Sequence, residues 1–254
     1  MSQHDPIRRN YYRAVQIAEN SSDCLFLLCA LLSFCPLLID NNQNPQAYED
    51  ALLLFGMSVV VLFILGIILR LHLVPRAEDK RRQDFFGSAC NVSLTYQKTD
   101  GYYNNDFTDA MKRMAAQVLE NSLFTKEITF RMAWHERIKA SAYLLLWLVL
   151  LHFRRTDLGW IVAASQAIFS EQILSKWLRL EWLRVRAEKT FDDVFRLFQS
   201  RLDEIQFTAG ALNSVSMYES AKATASITLS SRIFDDLNPD LSSEWNTIRE
   251  SLKI

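Results

Sequence analysis

Cysteine, glycine and proline are scarce in this chain, with four, six and five among 254 residues. Cys24, Cys29, Cys35 and Cys90 form no CxxC pair and have no Cys/His ligand spacing, which argues against both a zinc site and a disulfide framework. Three of them stand in one apolar run, where cysteine serves as a small hydrophobe. The glycines are scattered singly, so there is no Walker loop or other Gly-rich phosphate cradle. His135-Glu136 lacks the second histidine of a zincin helix, and no nucleophile motif occurs. No enzyme, cofactor or metal is therefore expected. No secretory signal is expected either, because the charged start extends through Asp23, contains acids and leads to no A-x-A cleavage site.

What the chain does have is long apolar runs. Ala51 to Leu69 is nineteen residues without a charge. At about 1.5 Å per residue it nearly spans a hydrocarbon core about 30 Å thick. Glu49 and Asp50 precede it, while Arg70, Arg76, Lys80, Arg81 and Arg82 follow, as the positive-inside rule expects of a cytoplasmic end. Cys24 to Ile39 forms a first span, with Pro36 near its end, and Asn44-Pro45 marks an outside turn. Residues 5–23 are expected to form a short amphipathic helix, with Arg8, Arg9 and Arg13 voting for a cytoplasmic N-terminus. Two shorter runs, Ala140 to Phe153 and Leu158 to Ser170, read as a second hairpin or as a re-entrant or interfacial one. Trp134, Trp147, Trp160 and Trp177 near their ends fit an aromatic belt.

The remainder is charged. Pro75 is expected to break the chain, and Ala89 to Tyr96 has the alternation of a strand or an extended segment. Thr99 to Asp106 is turn-rich, and Phe107 to Phe130 is helical. From Leu180 through Leu183, Ala187, Phe191, Val194, Phe198, Leu202 and Ile205, spacings of three and four predict one amphipathic helix, a candidate oligomer seam. A further helix, Met217 to Leu237, is expected to end at Asn238-Pro239. The expected fold is mainly all-α: a polytopic protein with four transmembrane helices in two hairpins and a mostly helical cytosolic domain. Its parts are an N-terminal helix (1–23), hairpin 1 (24–73), a cytosolic insert (74–137), hairpin 2 (138–175) and a helical tail (176–254).

Two places suggest function. Tyr96, Asp100, Tyr102, Tyr103 and Asn104 lie within sequence reach of Arg82 and other basic residues. Aromatic faces stack on bases, amides read base edges and guanidinium groups neutralise phosphates, so the mixture suits a nucleotide. A packed turn beside a solvated helix face is the alternative. Glu171 lies near the fourth run, where an acid at membrane depth lines a pore or meets a partner, or else sits in the headgroup zone.

With that layout in place, the chain resembles the SMODS-associated four-transmembrane effectors of bacterial antiphage defence (CBASS). The likeness covers an Ile7 to Asn10 helix, a two-span hairpin, a cytosolic insert, a second hairpin and a helical tail. Asp100-Gly101-Tyr102-Tyr103 is similar to the family's Asp-Tyr-Tyr motif with a glycine inserted. Glu120-Asn121 leading to Arg131, and Ser231-Arg232-Ile233-Phe234-Asp235, resemble further segments, although the tail lacks the usual Leu-Gln-Asp and the Arg-x-x-x-Pro that follows it. The resemblance implies an antiviral membrane effector of the bacterial inner membrane with both termini cytoplasmic. It would bind a cyclic oligonucleotide through Asp100, Tyr102 and Tyr103, with Tyr96, Asn104, Arg82 and Arg131 as further ligand-binding candidates, assemble into a homo-oligomer and perforate or depolarise the bilayer. A DNA or RNA polymer is not an expected partner. A ligand-independent oligomeric membrane scaffold, or a small channel or transporter, remains the alternative.

Overall fold

The structure is a computed structural model. It describes residues 5–97, 99, 103, 105, 107–152, 158–168 and 171–254, less the side chains of 150, 158, 163, 166–168 and 171. The described residues form helices and loops with no strand: α1 (Arg13–Leu32), α2 (Cys35–Leu38), α3 (Pro45–Ile68), α4 (Val74–Cys90), α5 (Ala110–His152), α6 (Leu158–Ile168), α7 (Lys176–Gln199), α8 (Glu204–Ala225) and α9 (Ser231–Leu252). Three π-helical turns, Arg8–Tyr12, Leu69–Leu73 and Glu171–Ser175, lead directly into α1, α4 and α7.

Two helical stretches are long and apolar enough to cross a membrane, Arg8–Leu38 and Pro45–Cys90. The second carries the Ala51 to Leu69 run; along one narrow face Ser58 and Leu69 are buried and Leu62 is half-buried, while Leu53, Val60, Phe63 and Ile64 are each half exposed or more. A helix that packs along one narrow face and leaves most of its apolar surface exposed has a composition suited to lipid better than to water. Pro45 occupies the first turn of α3, where its missing N–H costs nothing.

Several expectations about helix ends are corrected. The N-terminal amphipathic segment and the first span are one helical stretch, broken only at Ser33–Phe34 ahead of Pro36. Pro75 does not break the chain, because the helix passes from α3 into α4 through the π turn at Leu69–Leu73. Proline removes one hydrogen bond and crowds the carbonyl four residues back, and a widened π turn there accommodates both faults. Ala89 to Tyr96 is not a strand. Helix α4 runs to Cys90 and Asn91 then turns left-handed at φ 53°. Asn238-Pro239 does not end a helix either, since α9 continues through it to Leu252. The roughly 3 kcal/mol of an interior proline is offset there by burial of Leu241 and Trp245, worth about 1.5–3 kcal/mol each.

The chain divides into two compact units. One comprises 1–12, 76–134 and 179–254, the other 13–75 and 135–178. The first packs Phe85, Met114, Val118, Leu119, Leu123, Val194, Val215, Tyr218 and Trp245 into one core drawn from α4, α5, α7, α8 and α9. The α7 stripe therefore faces inward: Leu180, Leu183, Ala187 and Val194 are buried, and Phe191 and Phe198 pack against the core. It is no oligomer seam, and it stops at Gln199, leaving Leu202 and Ile205 beyond it; Asp203 caps α8 by accepting from the Gln206 N–H at 2.7 Å. In the second unit Phe26, Ala140 and Ile173 form a small core with Leu62, Tyr143 and Trp177. The Trp147 indole N–H donates to Ser165 Oγ at 2.8 Å, tying α5 to α6.

Candidate ligand-binding loop and its ionic support

The segment between α4 and α5, residues 91–109, holds most of the residues expected to bind a ligand, and local geometry pins its first half. The Val92 N–H reaches back to the Gly87 carbonyl at 2.9 Å, and Asn91 N–H points to Ser88 at 3.4 Å. That is a Schellman closure with left-handed Asn91 one residue past the helix. Gly87 is required there, because a Cβ would lie 2.8 Å from the Val92 carbonyl oxygen. Further on, buried Asp84 takes two hydrogen bonds from Thr99, from its N–H at 3.2 Å and its hydroxyl at 2.6 Å. Arg113 holds the other end, donating to the Phe107 carbonyl at 2.8 and 2.5 Å and to the Ser88 carbonyl at 3.2 Å.

The expected site residues do not share one environment. Tyr103 packs edge to face on Phe85 at 6.0 Å and belongs to the core margin. Tyr96 is 83% exposed, and its hydroxyl accepts from the Gln97 amide at 3.1 Å. Arg82 is exposed and paired with Asp79 of its own helix. Arg131 stands exposed on α5. Asp100, Tyr102 and Asn104 lie outside the described residues. Glu171 opens the π turn before α7, and its side chain is not described. Around the loop, three amide oxygens, of Gln97, Asn105 and Gln117, are buried with no hydrogen-bond donor among the described residues. Gln117 donates from its other end to Ser88 Oγ at 3.0 Å. These are vacant acceptors, suited to an amino or imino group or to water.

Sequence reasoning missed the ionic cluster that joins α4, α8 and the N-terminal turn. Glu78 accepts from the Tyr12 hydroxyl at 2.6 Å and pairs with Lys222 at 2.8 Å, and Lys222 also approaches Glu219 at 3.6 Å. Asp5 pairs with Arg81 at 2.6 Å, and the Arg81 guanidinium lies over the Tyr12 ring at 5.6 Å. Burial alone would lower the Lys222 pKa, but Glu78, Tyr218 and Glu219 overcome it and hold the ammonium well above its usual value. The partners are up to 144 residues apart, from Glu78 to Lys222, and no local pattern announces them.

The segments that carried the family likeness meet each other. Arg8 donates to both oxygens of Asp235, at 2.8 and 2.6 Å, and to the Ser231 carbonyl at 3.3 Å, with its guanidinium 5.7 Å from the Phe234 ring centroid. Ser231 to Asp235 is thus a cradle for the N-terminal helix. Asn121 gives its carbonyl to the Tyr218 hydroxyl at 3.3 Å, and that hydroxyl also meets Thr125 at 2.8 Å.

In the second unit Lys176 lies 3.3 Å from Asp23 and 3.7 Å from Glu136, and Lys139 lies 2.9 Å from Glu136. Each of these residues borders an apolar run. Among the described residues no group of three His, Cys, Asp or Glu could hold a metal ion.

Comparison with protein-family models, curated proteins and solved structures finds no match.

Proposed function

We propose that this protein is a ligand-gated membrane effector that senses a cyclic oligonucleotide with the 91–109 loop and perforates or depolarises the bacterial inner membrane. One observation carries the reading: the loop is spliced between two long helices, each running without a break into an apolar segment. Pro45–Cys90 enters it from the Ala51 to Leu69 run, and Ala110–His152 leaves it toward the Ala140 run. A ligand that favours one loop conformation acts on the ends of both helices and shifts the population of whatever arrangement they adopt. Vacant amide acceptors at Gln97, Asn105 and Gln117 suit base edges, and the family likeness supplies the ligand class.

In this proposal the chain crosses the membrane four times, in two hairpins, with both termini cytoplasmic. Support for the second hairpin comes from the outward faces of α5 beyond Tyr143, where Leu144, Leu145, Leu146, Leu148 and Leu151 are all exposed. Glu171 lies at the end of that hairpin and is the candidate pore acid, and assembly of several copies would complete the pore. The test is expression in bacteria loaded with candidate cyclic di- and trinucleotides while membrane potential is recorded. Depolarisation by one ligand, lost in Tyr103→Ala, is the expected result; a potential unmoved by every ligand overturns the proposal.

A further inference from the structure

Helix α8 has two apolar stripes, and the fold uses one of them. Ala211, Val215, Tyr218 and Ala225 are buried on its inner side. The packing there is close, since a Cβ at Gly210 would lie 2.7 Å from the Leu197 side chain. On the outer side Ile205 and Leu212 are 82% and 50% exposed, and Leu202, just ahead of the helix, is exposed as well. Ala209 and Ser216 are exposed in the same row. Ile205, Ala209, Leu212 and Ser216 are spaced four, three and four apart, as the a and d positions of a heptad are. Both ends of the helix are fixed, by the Asp203 cap and by left-handed Ser226, whose N–H reaches the Lys222 carbonyl at 3.0 Å. A rigid helix thus presents an aliphatic row that no part of its own unit covers.

The chemistry of the row selects its occupant. No lysine or arginine stands between Arg201 and Lys222, and the acids Asp203 and Glu204 open the segment. The cations that hold an interfacial helix on lipid are therefore absent. None of the four positions from Ile205 to Ser216 carries a charge, so a highly charged partner finds no counter-charge, whereas a second copy meets no like charge. Shape points the same way. Large and small side chains alternate along the row, and turned end for end upon itself it sets Ile205 over Ser216 and Ala209 over Leu212. Every one of the four resulting layers then joins a large side chain to a small one, which fills space evenly. Two parallel copies would stack Ile205 on Ile205 and Ala209 on Ala209, crowding one layer and leaving a gap in the next. Helix α8 has 22 residues; it is about 33 Å long and about 10 Å across, so its outer face covers on the order of 300 Å², against roughly 800 Å² per partner in a stable complex. The pair is accordingly reversible.

We propose that the outer face of α8 is a self-association surface on which two copies of this chain pair antiparallel through Ile205, Ala209, Leu212 and Ser216. The pairing gives an assembly of copies a surface, but it rests on neither the nucleotide nor the pore.

The full chain in detergent, its four cysteines replaced by alanine, receives one cysteine, as Ala209→Cys, Ile205→Cys or, for reference on α9, Ser243→Cys, and is treated with a short bifunctional maleimide. In the antiparallel register position 209 lies about 4.5 Å along the helix axis from its mate, and position 205 about 16.5 Å. The expected result is a covalent dimer at 209, several-fold more abundant than at 205 or 243 and lost when Leu212→Glu is added. Equal dimer at 205 and 209 overturns the antiparallel pairing, and no more dimer at 209 than at 243 overturns the surface. A crosslink in whole cells from 209 to a different protein, in place of a second copy, overturns it too. Sedimentation of the chain with its own cysteines gives a second measurement: its mass should rise with concentration, and an equal rise in Leu212→Glu counts against the proposal. All the substituted positions are exposed, so each variant should keep the parent's circular dichroism. No nucleotide is added, which separates this outcome from that of the depolarisation test.

Discussion

At the residue scale, similar side chains do different work according to burial. Tyr96 and Tyr103 stand seven positions apart, yet one is 83% exposed and the other packs on Phe85. Tyr96→Ala is expected to change stability by less than about 0.5 kcal/mol, as exposed positions do, and Tyr103→Ala to cost about 1–3 kcal/mol. Denaturant unfolding in detergent separates the two. Among the charges, Glu78 and Lys222 satisfy one another away from bulk water. Glu78→Gln removes the nearer of Lys222's two carboxylates, leaving Glu219 at 3.6 Å, and should cost about 1–3 kcal/mol, part of which adding Lys222→Met should recover. Because the Lys222 pKa is raised in the folded state, its contribution is complete below its unfolded pKa of about 10.4. That contribution is then lost as pH climbs through the higher folded value. Asp235 works in the opposite sense: hydrogen bonding from Arg8 lowers its pKa. Its contribution is present above about pH 4 and fades on acidification. Alkaline melting curves of Lys222→Met should therefore flatten above pH 10 relative to the parent, while Arg8→Ala should remove an acid-side slope.

Elements in this protein end where backbone chemistry lets them, and Pro75 and Pro239 proved poor guides to those ends. Pro45 starts α3, Pro75 is absorbed by a π turn, and Pro239 is carried through α9 because Leu241 and Trp245 are buried one turn on. Glycine is more informative. Replacing Gly87 with alanine would gain up to about 1 kcal/mol of helix propensity, but its Cβ would sit 2.8 Å from the Val92 carbonyl. We expect a net loss of about 1–3 kcal/mol as the loop is pushed off α4, read by thermal unfolding. The stripe on α7 was legible as a stripe, and its function was not. Leu180, Leu183, Ala187 and Val194 are spaced as a seam would be, and they face the core of their own unit. Phe191→Asp should therefore unfold the unit instead of dissolving an assembly, and size-exclusion of the variant beside its circular dichroism shows which.

Across the whole molecule, the apolar helices are the most readable feature. A 19-residue run without charge is long and apolar enough to cross a membrane, and the outward faces of Leu53, Val60 and Phe63 fit that. Val60→Arg near the middle of that run should weaken insertion by about 2.5–3.5 kcal/mol and shift the protein out of the membrane fraction on centrifugation. Helix class and the Ala51 to Leu69 segment followed from hydrophobic period and length alone, because those signals are local along the chain. Tertiary structure alone decided which stripe is core, that Arg8 rests on Ser231 to Asp235, and that Glu78 of α4 answers Lys222 of α8. Those pairings join residues 144 or more positions apart. A charge in sequence shows its sign and its neighbours, but its partner is fixed only when folding brings distant helices together and removes the water that would otherwise have served instead.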